Sequence, residues 1–154
     1  MPEVETLLAV QQLHARYGQL VDDRRFEDLG RLFCEDAVWE AGPIRFEGRA
    51  AIVSGFEQIE PPQPGMVKHL TFAPLVEGEG DEVRAWADAI ALTVGKPGEP
   101  SVVAAAGRYH DVIRNERGTW RFAHRVFVYA QAPLPDGVIG ISMSGRGAQE
   151  RKAP

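Results

Sequence analysis

His69 lies in an apolar run with Leu70 and Phe72 beside it, and Asp22 closes an amphipathic stretch that also carries Tyr17. These residue types could move protons. Breaking a C–H bond next to a carbonyl, or beside a leaving group, needs a base that titrates near neutrality, and histidine is such a base. A buried aspartate on the other ring nitrogen would fix the tautomer and stabilise the imidazolium once formed. Tyrosine can donate to a carbonyl or a departing hydroxyl, and arginine, here Arg125, can hold a developing anion. Each residue also has a plain structural use. His69 could be a hydrogen-bonded core histidine, Tyr17 part of an apolar stripe, and Asp22 a helix end with Asp23 as an adjacent competitor. Spacing from Trp39 favours Asp22.

Other chemistries find less support. The four histidines are scattered, with no His-X-His or Glu-X-X-His spacing, so no metal site is expected. Ser142 and Ser144 lack the strand-to-helix elbow of a serine hydrolase. Gly78-Glu79-Gly80 reads as a hairpin turn rather than a nucleotide loop, and no cofactor is expected. Cys34, the single cysteine, sits in an apolar run and reads as a buried thiol.

The 154 residues suit one domain, and 44% hydrophobic with 25% charged content is globular. A net charge of −5 with mixed signs offers no basic stripe, so nucleic acid is not an expected partner. The acidic start, Met1-Pro2-Glu3-Val4-Glu5, lacks the basic and apolar regions of a signal peptide, and no apolar run is long enough to span a bilayer. The expected partner is a small hydrophobic molecule, with no membrane contact, and the expected location is cytoplasmic.

Helical spacing predicts a first helix over Val4–Val21, a second over Phe26–Phe33 and a third from Ala50 to about Ile59, ended by Pro61-Pro62-Gln63-Pro64-Gly65. Asp36–Glu40 and Ile44–Phe46 read as short strands. Met66–Val76, Glu82–Val94, Ser101–Arg114 and Thr119–Ala130 read as long ones, separated by polar turns that favour antiparallel pairing. The layout is α+β: a cone of strongly curved, mixed but mostly antiparallel sheet wrapped around three N-terminal helices. Residues 1–133 form the domain and 134–154 a partly flexible extension, in which 138–141 could pack locally and 144–154 fray. The cone is expected to leave a pocket for a ligand.

Alternation puts Arg125, Phe127 and Tyr129 on one strand face, read as inward, where a buried arginine needs an anionic partner. Gly107 and Tyr109 read as pocket-facing, and Asp88, on one face with Ile90 and Leu92, reads either as a second pocket acid or as a solvent-facing acid near the strand start. His110, Val112, His124, Val126 and Val128 read as an apolar outer face, which predicts a homodimer or homotrimer.

The segment Tyr17–Trp39, with Gly48-Arg49 and Ile52, Lys68-His69-Leu70, Gly107–Asp111 and Gly118–Arg125 in that order, resembles the nuclear transport factor 2-like superfamily. More narrowly it is similar to the polyketide-cyclase and dehydratase branch called SnoaL-like. That resemblance implies a His–Asp base for an elimination, carried by His69 and Asp22. It also implies Tyr17 as a catalytic tyrosine, Arg125 as a pocket arginine, and Trp39 among the substrate-binding residues. An isomerase, a cyclase and a non-catalytic binding module share the fold, so these stay open.

Overall fold

The computed structural model describes residues 1–141. Helix α1, Val4–Asp22, buries the stripe Val10, Leu13, Tyr17 and Val21, with His14, Gly18 and Asp22 on the same side. It stops at a left-handed residue, Arg24 (φ 55°). The N–H groups of Arg24 and Arg25 donate back to the carbonyls of Val21 and Leu20, the bonding of a Schellman end. Glycine usually takes that position, so arginine there stores about 1 kcal/mol of strain.

The second helix is shorter than its pattern predicts. α2, Phe26–Gly30, ends early, and Phe33 opens strand β1, Phe33–Ala41, opposite Phe122 of the last strand. Strand β2, Ile44–Glu47, and helix α3, Arg49–Ile59, follow as expected. The predicted strand 66–76 is two strands, β3 (Val67–Thr71) and β4 (Leu75–Glu79), divided at Pro74. Proline has no N–H for a ladder, so the chain breaks there and both pieces pair separately with β5.

The sheet is completed by β5 (Glu82–Thr93), β6 (Val102–Glu116) and β7 (Thr119–Tyr129). Its order is β2-β1-β7-β6-β5-β3, with β4 also on β5. All pairs are antiparallel except β1 with β7, so the sheet is mixed and mostly antiparallel. The helices cover its concave face, closing a core of Leu29, Phe33, Ile52, Phe56, Ile113 and Phe122 among others. Cys34 is fully buried there, and burial pushes its thiol up to about 11.

Part of the outer face is covered by the chain itself. The carbonyl of Ile139 accepts from Nε1 of Trp86 at 2.9 Å and lies 3.1 Å from Nδ1 of His110. Positions 138 and 139 thus pack locally, over the face that carries Val112, His124 and Val126. The expectation for 144–154 falls outside the described residues. No helix among the described residues is long and apolar enough to cross a membrane.

Candidate active site

Edge strand β3 lies against the C-terminal end of α1, close enough that a side chain on Gly18 would meet the carbonyl of His69 at 3.1 Å. That approach brings Asp22 to the strand. Its Oδ1 accepts the backbone N–H of His69 at 3.0 Å and lies 2.8 Å from Nδ1 of the same residue. Because a carboxylate only accepts, Nδ1 carries the proton and Nε2 is left as the basic nitrogen. Among the described residues Nε2 has no hydrogen-bond partner. The Asp22 side chain is 4% exposed and that of His69 18%, so the carboxylate is sheltered while the ring reaches the surface.

Two further groups crowd this corner. Nζ of Lys68 stands 3.1 Å from Oδ2 of Asp22. Glu60, at the end of α3, is held above the ordinary carboxyl range by burial, with Asp22 adding to the effect and His69 opposing it. Arg24 ties the loop after α3 down through the carbonyls of Glu60, at 3.2 Å, and Pro61. Asp23, the alternative to Asp22, is exposed. Residue type and spacing gave no warning of Lys68, Glu60 or Arg24.

Tyr17 and Arg125 belong to a different cluster, deeper in the cone. The Tyr17 hydroxyl accepts from Nε1 of Trp39 at 2.9 Å. Burial keeps its phenol well above the usual range, and Tyr109 adds to this. Arg125 is fully buried, its guanidinium 3.5 Å from the ring centre of Tyr109, 4.1 Å from Tyr17 and 4.3 Å from Phe122. Its anionic partner is Asp111, the directly opposite residue on β6, which Nη1 reaches at 2.9 Å. Burial pushes Asp111 up to about 7 while Arg125 pulls it down. Nε2 of His14 lies 3.2 Å from the same Asp111 oxygen but without hydrogen-bond geometry. Burial, then Arg125, holds His14 well below its ordinary value. Asp111 could have been found from sequence, since it shares parity with Gly107 and Tyr109. So could His14, three residues before Tyr17 on one helix face.

Of the expected pocket residues, Trp39, Gly107, Tyr109, Phe127 and Tyr129 face the cone. Trp39 stacks on Phe46, and Phe127 packs edge-on to Tyr129. Gly107 lies under Phe127, where a Cβ would sit 2.8 Å from the ring. Asp88, Ile90 and Leu92 do not join them. They pair with Arg108, Leu70 and Lys68 on the opposite face, and Asp88 bonds Arg108 at 2.5 Å in the open. That bond holds its carboxyl below the usual range. The inner row of β5 is instead Val83, Ala85, Ala87, Ala89 and Ala91, small enough to let the aromatic rings fill the cone. Among the described residues, the surface cavities take no wall from Asp22, His69, Tyr17 or Arg125, so the expected interior pocket is not one of them.

Against known families, the pattern of the SnoaL-like domain matches residues 2–126. The chain belongs to the SnoaL-like domain family. Members of that family are often enzymes, among them dehydratases and cyclases. Among solved structures, ActVI-ORFA from Streptomyces coelicolor superposes with a TM-score of 0.74 at 18% identity, covering 82% of this chain and 98% of that one. A putative scytalone dehydratase from Novosphingobium aromaticivorans gives 0.69 at 18% identity, covering 89% and 97%. The beta subunit of a putative aromatic-ring-hydroxylating dioxygenase from the same organism gives 0.68 at 23%, covering 86% and 94%. At these identities the SnoaL-like chain shares their fold. A comparison with curated proteins gives no match.

Proposed function

We propose that this SnoaL-like protein is a cofactor-independent dehydratase or related lyase acting on a small hydrophobic carbonyl or hydroxylated compound. The 2.8 Å contact between Nδ1 of His69 and Oδ1 of Asp22 carries the proposal, because it leaves Nε2 unprotonated on a ring that solvent reaches. Nε2 takes the proton from the carbon next to the carbonyl. The C–H electrons form the new double bond, the C–O bond to the hydroxyl breaks, and a proton joins the departing oxygen to give water. Tyr17, kept protonated by burial, is the proposed donor at oxygen. Arg125, expected to hold negative charge, is paired with Asp111 in the core and takes no part in this proposed step. Asp88, the rival carboxylate base of an isomerase, points away from His69, which favours the histidine.

The test uses a substrate that the protein turns over. His69→Ala should lower kcat about 10²–10⁴-fold. Asp22→Asn should cost a similar factor, because an amide favours the wrong tautomer and leaves the imidazolium unpaired. The double variant should lose little more than the worse single one, since the two act as a unit. Chelator should leave the rate unchanged. Full turnover by His69→Ala would remove the base. The mass of the product, which falls by one water in an elimination and is unchanged in an isomerisation, then separates those two.

A second reading, a non-catalytic binding or assembly module, draws on the ring-filled interior and on the likeness to a dioxygenase beta subunit. It predicts ligand binding that survives His69→Ala, with no turnover to lose. In either case the outer face is the proposed contact between copies, because Leu70, Phe72 and Val103 are 45–57% exposed there. Light scattering at micromolar concentration should give a dimer or trimer mass, and a monomer mass counts against this.

A further inference from the structure

The carboxylate of Asp22 receives three donors, and only two come from His69. Those two share Oδ1, while Oδ2 takes the ammonium of Lys68 at 3.1 Å. β3 is the edge strand of the sheet, and Lys68 stands on the face opposite His69, paired across with Leu92. Its long stem therefore comes round the free edge of the strand to reach an aspartate on the inner side. The Lys68 side chain is 51% exposed and that of Asp22 4%, so the cation arrives from solvent and meets a sheltered anion.

The other charged groups near this carboxylate do not duplicate that contact. Arg24 spends its guanidinium on the carbonyls of Glu60 and Pro61, and Glu60 carries the same sign as Asp22. Among the described residues Lys68 is the one cationic side chain, apart from His69 itself, in ion-pair contact with Asp22. The last torsion of aspartate is broad, so one anchored oxygen does not fix the plane of the carboxylate. Anchoring both oxygens does.

We propose that Lys68 is a positioning residue: by holding Oδ2 of Asp22 it keeps Oδ1 on Nδ1 of His69 and so holds the ring in the one tautomer that presents a bare Nε2. This rests on His69 being the base, but it can be measured without a substrate. In ¹⁵N-labelled protein the ring-nitrogen shifts of neutral His69 report which nitrogen bears the proton. The wild type and Lys68→Arg should show one protonated Nδ1 and one bare Nε2. In Lys68→Met, which keeps the apolar stem and loses the charge, the two shifts should move toward each other as the second tautomer becomes populated. With a substrate, kcat should fall about 2–5-fold at unchanged KM, the worth of one half-exposed charged contact, and Lys68→Arg should restore it. A merely structural lysine would alter melting temperature and leave the tautomer alone. An unchanged tautomer in Lys68→Met overturns the proposal whatever happens to kcat, and so does a Lys68→Arg variant that behaves like Lys68→Met. Failure of the base itself shows separately, as full turnover by His69→Ala.

Discussion

Two of the carboxylate–histidine contacts in the SnoaL-like cone differ in nearly everything except residue type. Asp22 and His69 meet at the sheet edge, aligned by a backbone N–H, with a lysine on the far oxygen and one ring nitrogen unengaged. Asp111 and His14 meet in the core, with an arginine clamped among aromatic rings beside them and all three side chains within 2% of complete burial. Burial sets the difference. In the core the charged forms of His14 and Asp111 are both disfavoured, and the arginine is held by an ion pair whose removal would strand a charge. At the edge, solvent reaches the His69 ring, and its Nε2 has no hydrogen-bond partner among the described residues. The same side chains serve structure in one place and, on the proposed reading, chemistry in the other.

The contrast predicts that damage in the core is read in stability and damage at the edge in rate. Asp111→Asn leaves Arg125 buried without a counter-charge and should cost about 3–5 kcal/mol in urea unfolding. Asp22→Asn, whose partners can turn to water, should cost about 1–3 kcal/mol. If Asp22→Asn proves the more destabilising, the division between the two sites fails. The double change Asp111→Leu with Arg125→Met should recover most of the core loss, as apolar replacements of buried ion pairs often do.

A smaller effect should appear with pH. Asp111 is raised in the folded protein, so its contribution to stability is full below about pH 4 and is lost as pH rises to about 7. His14 is lowered, so its contribution is present above about pH 6.5 and is lost as pH falls. Between about pH 4 and 6.5 the two slopes oppose each other. Removing one should expose the other: in His14→Gln, stability should decline more with rising pH across that window than in the wild type. Each group can contribute at most about 1.4 kcal/mol per pH unit. Urea midpoints at four pH values decide it, and parallel curves for the two proteins would mean that His14 does not titrate against folding. The smallest effect belongs to the outer face, where Asp88→Ala should change stability by about 0.5 kcal/mol or less and leave turnover intact. Loss of turnover there would revive a carboxylate base.

Much of the fold was legible because the long strands are bounded by polar turns and the helices carry plain apolar stripes. The contact between Asp22 and His69 came through the resemblance rather than through spacing, since 47 residues separate them and only packing of α1 on β3 joins them. The faces of β5 were misread for a physical reason. Large apolar residues, Trp86, Ile90 and Leu92, stand on its outer side, while the cone side is lined by alanines that give room to rings from other elements. Side-chain size pointed outward and burial inward. The inward parity of Asp111 was readable, but its pairing with Arg125 was hidden by a bulge. From the turn, Asn115 faces Trp120 and Ile113 faces Phe122, a register that would set His110 against Arg125. The irregularity between Val112 and Ile113 shifts it by one, so Asp111 takes that place. A one-residue insertion of this kind leaves no mark in hydrophobic periodicity.

The parallel pairing of β1 with β7 also bears on how the molecule is made. β1 is complete at Ala41, but its neighbour begins at Thr119, so the centre of the sheet waits for the last strand. Pairings so distant in the chain make for slow folding and leave strand edges open to other molecules meanwhile. α1 and β3 are synthesised early, yet β3 hangs on β5, β5 on β6, β6 on β7, and β7 on β1. A chain emerging from the ribosome therefore carries Asp22 and His69 long before it can hold them together, and acquires its candidate active site only when the final strand is in place.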